Sequence, residues 1–169
     1  MSYLEGLYTR AQEKGFYIGL KVVRGAYMEK ERRRAYENNY PSPICTDKEA
    51  TDKNYNDAIL FMMEHEKMAL FAGTHNEESS MLVMELAKKH HIAVNDQNLW
   101  FGQLLGMSDH ISFNLAKEGY NVAKYLPFGP VRDVMPYLIR RAEENTSVAG
   151  QTSRELTLIQ TERKRRKLS

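Results

Sequence analysis

Two adjacent arginines, Arg140 and Arg141, stand on a stretch where Tyr137, Arg140, Arg141 and Glu144 fall at i, i+3, i+4 and i+7. On a helix these four share one face. A planar guanidinium grips a carboxylate or phosphate through two parallel hydrogen bonds, and two guanidinia side by side hold one anion from two directions. The chemistry such a pair suggests is an anion site. The plainer alternative is a solvated helix end, with Glu144 as the i+4 partner of Arg140. The surrounding stretch, KYLPFGPVRDVMPYLIRRAEEN from Lys124 to Asn145, runs from strand-like residues through a tight turn into that helix. Gly129 and Pro130 break the apolar run before it. Pro130 suits the first helical position, where its missing N–H is no loss.

Other residues with chemical potential lead elsewhere or nowhere. His75, Glu77, His90, His91 and Asp96 show no HExxH or comparable ligand spacing, so no metal site is expected. Cys45 is the lone cysteine, and its neighbours Ile44 and Thr46 offer neither a CxxC nor a metal motif, which fits a reducing compartment. Thr74 and Asn76, in GTHNEESS, read as candidate helix caps. There is no GxGxxG fingerprint.

The elements that must position these residues alternate along the chain. Tyr3 to Lys14 suits a helix stopped by Gly15. Phe16 to Arg24, FYIGLKVVR, is rich in aromatic and β-branched residues, as a strand covered on both faces would be. Helices follow over Glu29 to Asn39 and Ala50 to Lys67, separated by the loop NNYPSPICTDKEA with its two prolines. In the second of these helices Tyr55, Ala58, Ile59, Met62 and Met63 form an apolar stripe. A strand over Met68 to Ala72 leads to a helix through Lys89, with His90 and His91 ending it in solvent. A strand over Leu99 to Leu105 precedes a helix from Asp109 to Lys117. A strand over Val122 to Leu126 leads into the arginine helix, and a last helix spans Gln151 to Arg163.

Four successive β-then-α units imply parallel strands with right-handed crossovers. A small doubly wound sheet and part of a (β/α)8 barrel both satisfy that pattern. The polar residues favour the barrel, because they cluster directly after the strands: Arg24 to Tyr27, Thr74 to Glu77, Gln103 to Asp109 and Tyr125 to Gly129. Barrels put their active sites there, although doubly wound sheets also bind ligands at strand carboxyl ends.

Composition narrows the function classes. With 169 residues, 42% hydrophobic and 27% charged, the chain reads as a soluble globular protein of one-domain size. Its 24 basic and 22 acidic side chains nearly balance, so nucleic acid is not an expected partner. The basic ending ERKRRKLS reads as a solvated tail. No apolar run approaches the roughly 20 residues that span a bilayer. Glu5 precedes any hydrophobic stretch, so the start is not read as a signal peptide.

KVVRGAYMEKER, GTHNEES, FGQLLGMSDHISF and above all KYLPFGPVRDVMPYLIRRAEEN closely resemble the flavin-dependent proline dehydrogenase (proline oxidase) family, in its eukaryote-like form. The likeness runs from about Tyr3 to Thr146. It implies a (β/α)8 TIM-barrel type of fold binding FAD, with only the last four β/α units and a C-terminal helix in this chain. The family's first four strands, with an active-site aspartate and lysine, have no counterpart here. Residues 1–150 then form the carboxyl-terminal half of the barrel, and 151–169 a terminal helix and basic tail. The implied reaction is oxidation of L-proline to Δ1-pyrroline-5-carboxylate, with electrons passing through FAD to a quinone. Mitochondrial placement and peripheral membrane association of the longer protein follow from the same resemblance.

The resemblance also assigns residues. Arg140 and Arg141 match the family's carboxylate-binding pair. Tyr27, Tyr125 and Tyr137 match aromatic residues walling the substrate, and Glu144 an acid of the same helix face. Lys21 stands where some members carry arginine near the reactive flavin nitrogen, where either cation stabilises developing negative charge, so Lys21 and Tyr125 are the catalytic candidates. Val23, Arg24, Gly25, Ala26, Thr46, Lys48, Thr51, Thr74, His75, Asn76 and Leu104 match cofactor-contacting positions. Hydroxyproline-oxidising relatives tend to carry serine where Tyr125 stands, so proline is the expected substrate. The alternatives are a hydroxyproline dehydrogenase, and a catalytically inactive half barrel or binding module whose partner is the missing half.

Overall fold

The computed structural model describes residues 2–147 and 151–167; at 140–147 and 151–155 it describes the backbone alone. The chain begins with helix α1 (Ser2–Glu13). Gly15 stops that helix as expected: at φ 69° its N–H bonds the Gln12 carbonyl at 3.0 Å, while the Phe16 N–H bonds that of Ala11 at 2.8 Å. There follow β1 (Ile18–Val22), α2 (Met28–Glu37), α3 (Lys48–Glu64), β2 (Met68–Gly73), α4 (Glu77–Lys89), β3 (Leu99–Leu104), α5 (Asp109–Lys117), β4 (Asn121–Tyr125), α6 (Val131–Ser147) and α7 (Gln151–Arg165).

The strands form one sheet in the order β1-β2-β3-β4, with β1 parallel to β2 and β2 parallel to β3. This order decides between the two architectures. A doubly wound sheet reverses its strand order at a switch point. Here each crossover advances by one neighbour, so right-handed connections carry the crossover helices, α2 to α5, to the same face. That is the barrel arrangement. Leu70 and Ala72 of β2 and Leu99 and Phe101 of β3 are buried with Ile59 and Met62 of α3, Val83 of α4 and Leu115 of α5 in a single core. Alternation along the strands sends Lys21, Phe71, Gly73 and Gly102 to the opposite face.

The chain divides into two compact units, Met1–Lys124 and Tyr125–Ser169. The first holds the core just described. The second holds α6 and α7.

Several expected boundaries shift for identifiable reasons. The strand expected over Phe16 to Arg24 shortens to Ile18–Val22, and it is not covered on both faces: Gly19 and Lys21 are exposed, as are Phe16 and Tyr17 before it. An apolar run does not distinguish an edge strand from a central one. Helix α3 starts at Lys48 rather than Ala50, because the Asp47 carboxylate accepts the Ala50 N–H at 2.7 Å and caps it. Of the two candidate caps of α4, Asn76 takes the role, accepting the Ser79 N–H at 2.8 Å. Pro130 sits one residue before α6 rather than at its first position; its carbonyl accepts from Asp133 and Val134 at 2.9 and 3.0 Å. His90, expected in solvent, is half-buried, with its Nε2 buried.

Candidate active site

The carboxyl ends of β1, β2 and β3 bring together residues far apart in sequence, and Arg24 is their hub. Its Nη1 donates to Thr74 Oγ1 at 3.0 Å, its Nη2 to Ser79 Oγ at 2.6 Å, and its Nε lies 2.7 Å from Asp52 Oδ1. That last contact is an ion pair off the N–H axis, not an aligned hydrogen bond. The guanidinium carbon stands 3.8 Å from the centre of the Tyr55 ring, a cation–π stack. Burial pushes the Arg24 pKa down from its ordinary value, and Asp52 opposes that shift; the group stays charged regardless. Burial also pushes the Tyr55 phenol up, to about 12.

Each partner is anchored in turn. Thr74 receives the Asn76 N–H at 3.1 Å on its hydroxyl, and its own N–H donates to the Gly102 carbonyl at 3.2 Å. Gln103, fully buried, donates to the Thr74 carbonyl at 3.2 Å and accepts from Ser112 at 2.8 Å. His75 Nδ1 lies 2.9 Å from Ser108 Oγ, and His110 Nε2 lies 2.9 Å from Glu77 Oε1. The second pair ties the start of α4 to that of α5, and the first ties the loop after β2 to the loop after β3. Lys124 fixes the latter from the side, donating to the Met107 carbonyl at 2.6 Å and pairing with Asp109 at 2.7 Å.

The expected cofactor residues occupy this end of the first unit. Gly25, at φ 72°, has open space where a Cβ would be, and Ala26 beside it is exposed. Tyr27 holds φ 57°, a left-handed backbone that costs a bulky residue on the order of 1 kcal/mol and recurs at functional sites. Thr46, Lys48 and Thr51 gather at the start of α3. Thr46 donates to Asp47 Oδ2 and Thr51 to the Asp47 carbonyl, each at 2.8 Å, while Lys48 pairs with Asp52 and so joins the Arg24 network. Lys21 lies on the sheet face opposite the core with its ammonium 5.3 Å from the Phe71 ring centre; Val23 follows the end of β1, and Leu104 ends β3.

In the second unit, the Tyr125 and Tyr137 rings meet edge to face, 5.9 Å apart at 74°. Arg140, Arg141 and Glu144 lie on α6, and their side chains fall outside the described residues. Motif reading did not single out Asp52, Tyr55 or Ser79, and it met Gln103 and Ser108 only as members of the polar stretch Gln103 to Asp109 after the third strand. Tyr55 was legible only as one of an apolar stripe, and no local pattern announces a partner that is 55 residues away, as Ser79 is from Arg24.

Sequential parallel strands, helices on one face and a polar cluster at the strand carboxyl ends define a (β/α)8-barrel type of chain, four of whose β/α units lie here. The chain belongs to the proline dehydrogenase family, whose model matches residues 1–154. It is 41% identical over 160 residues to the Homo sapiens protein named proline dehydrogenase 1, mitochondrial, covering 92% of this chain and 27% of that one. It is also 41% identical over 161 residues to a Xenopus laevis hydroxyproline dehydrogenase, covering 92% and 34%. The crystal structure of proline utilization A from Bdellovibrio bacteriovorus, inactivated by N-propargylglycine, superimposes with a TM-score of 0.79 at 30% identity, covering 88% of this chain and 15% of that one. The chain thus spans about a quarter to a third of the length of these curated relatives.

Proposed function

We propose that this chain is the substrate-binding and part of the cofactor-binding portion of a flavin-dependent proline dehydrogenase, which oxidises L-proline to Δ1-pyrroline-5-carboxylate. The observation that carries this reading is the family match through residues 1–154, which includes every candidate site residue. Residues 1–150 serve as the carboxyl-terminal half of the barrel, and 151–169 as its terminal helix and basic tail.

Oxidation removes a hydride from the ring carbon next to nitrogen and a proton from the nitrogen, so the ring must be held in one orientation. Arg140 and Arg141 bind the proline carboxylate, Glu144 orients one of them, and Tyr27, Tyr125 and Tyr137 wall the ring. FAD, when bound, supplies the hydride acceptor. The residues present fit such a group. Gly25 and Ala26 leave the backbone open to close approach, and Lys21 offers a cation on the sheet's open face. Val23, Arg24, Thr46, Lys48, Thr51, Thr74, His75, Asn76 and Leu104 complete the set that would hold it. Arg24 serves this site chiefly by bracing the strand ends, because its guanidinium is already engaged by Asp52, Thr74, Ser79 and Tyr55.

Electrons then pass to a quinone at a membrane, in mitochondria, as the names of the eukaryotic relatives suggest for the compartment. The test is proline-dependent dye reduction by the complete protein, run beside 4-hydroxyproline. Faster turnover of proline supports the assignment, and its absence with FAD bound overturns it. The second reading, a hydroxyproline dehydrogenase, is favoured by the Xenopus relative and opposed by Tyr125, whose ring takes up space that a 4-hydroxyl needs.

A further inference from the structure

We propose that Phe71 is a positioning residue for Lys21, and that the glycine pair Gly73 and Gly102 gives it room to act. The proposal rests on the reading above, in which Lys21 is the cation beside the electron acceptor. Parallel register sets Lys21 opposite Phe71 across β1 and β2, and Gly73 opposite Gly102 across β2 and β3. All four lie on the face away from the core that α3, α4 and α5 cover, so that core does not account for an aromatic ring there. A Cβ at Gly102 would fall 2.1 and 2.5 Å from Cε1 and Cζ of Phe71, which means that the ring lies across the Gly102 backbone. A Cβ at Gly73 would meet Lys21 Cε at 3.3 Å and Val23 Cγ1 at 2.8 Å, so the lysine stem runs over Gly73. The two glycines thus form a flat bed in which stem and ring lie side by side. The ammonium ends 5.3 Å from the ring centre, within cation–π reach.

A lysine side chain has many rotamers open to it. The ring restricts that spread and keeps the charge over the sheet, where the cofactor reading requires it. Phe71 touches neither substrate nor cofactor in this scheme; it acts through Lys21.

The test labels the lysines of the intact protein by reductive methylation with 13C, which preserves their charge, and assigns the Lys21 signal by its loss in Lys21→Arg. Ring current from Phe71 shifts that signal upfield of the other lysines. Phe71→Leu is expected to return it to the common position, and Phe71→Tyr to restore the shift. Gly102→Ala, which displaces the ring, is expected to mimic Phe71→Leu; if it does not fold, the Leu and Tyr variants carry the test alone. A Lys21 signal that is unshifted, or unchanged in Phe71→Leu, overturns the proposal. A second readout is the reduction potential of bound flavin, expected to fall in both Lys21→Met and Phe71→Leu and to recover in Phe71→Tyr. A shifted signal together with a potential indifferent to Lys21→Met overturns the role of Lys21 itself, an outcome separable from the first because the labelling needs no flavin.

Discussion

A guanidinium engaged on several sides does a different job from one that meets a ligand. Arg24, with Asp52, Thr74, Ser79 and the Tyr55 ring around it, belongs to the first kind. Arg24→Met is therefore expected to destabilise the fold by roughly 1–3 kcal/mol, since it strips several charged contacts at once; urea denaturation measures this. Arg140 and Arg141 are assigned to the second kind. In the complete protein, Arg140→Met or Arg141→Met is expected to leave the fold intact. It raises the Michaelis constant for proline roughly ten- to a hundredfold, as loss of a charged hydrogen bond worth about 1.5–3 kcal/mol implies. If both variants keep the wild-type constant, the pair is only a solvated helix end. Tyr125→Ser is expected to raise turnover of 4-hydroxyproline relative to proline, because the proposed function puts that ring in the space the hydroxyl needs. An unchanged ratio of the two turnover rates reduces Tyr125 to a packing residue. Arg24, Arg140, Arg141 and Tyr125 all lie in motifs that the sequence alone picks out, and the ligand-binding roles given to the last three are proposals. The bracing around Arg24 was not legible there, since Asp52 and Ser79 reach it only once β1, α3 and α4 are assembled.

At the scale of elements, the helices that follow the site loops depend on their first residues. Asn76 caps α4 directly after the Thr74–His75 segment, so Asn76→Ala is expected to cost about 1 kcal/mol while Asn76→Asp retains the cap. Equal denaturation midpoints for the two variants defeat that account. Asp47 caps α3, and the Ala50 N–H, with the Thr46 hydroxyl second, holds its carboxyl below the usual aspartate range. A folded pKa below the unfolded one contributes stability above the unfolded value, and that contribution fades as pH falls through the folded value. Asp47→Asn is therefore expected to flatten the acid limb of the stability profile, as denaturation midpoints measured from neutral to acid pH report. Glycine and asparagine punctuation made most element boundaries legible to within two or three residues. The start of α3 was hidden because Asp47 lies inside a loop rich in proline and polar residues, where a cap has no distinctive neighbours.

For the whole molecule, alternation of strands and helices was legible but their order in the sheet was not, because a doubly wound sheet and a barrel share the same local pattern. The order β1-β2-β3-β4 supplies what the pattern lacked, and it carries an energetic consequence. A (β/α)8 barrel closes on itself, so each strand has two neighbours and its inner face is filled by side chains from all around. Among the described residues β1 and β4 each have a neighbour on one side only, and Lys21 and Val23 are exposed. Unpaired edges are sites of pairing with other chains, and an open inner face cannot exclude water from a hydride transfer. Expressed alone with added FAD, the chain is accordingly expected to be marginally folded, to hold flavin weakly and to give no proline-dependent dye reduction. Supplying the four preceding β/α units, in one polypeptide or as a co-expressed partner, is expected to restore flavin retention and turnover together, since both depend on the same closure. Turnover by the isolated chain comparable with that of a full-length relative would show that four units suffice. Restored flavin binding without turnover would place the deficit in the arginine helix instead of in the barrel.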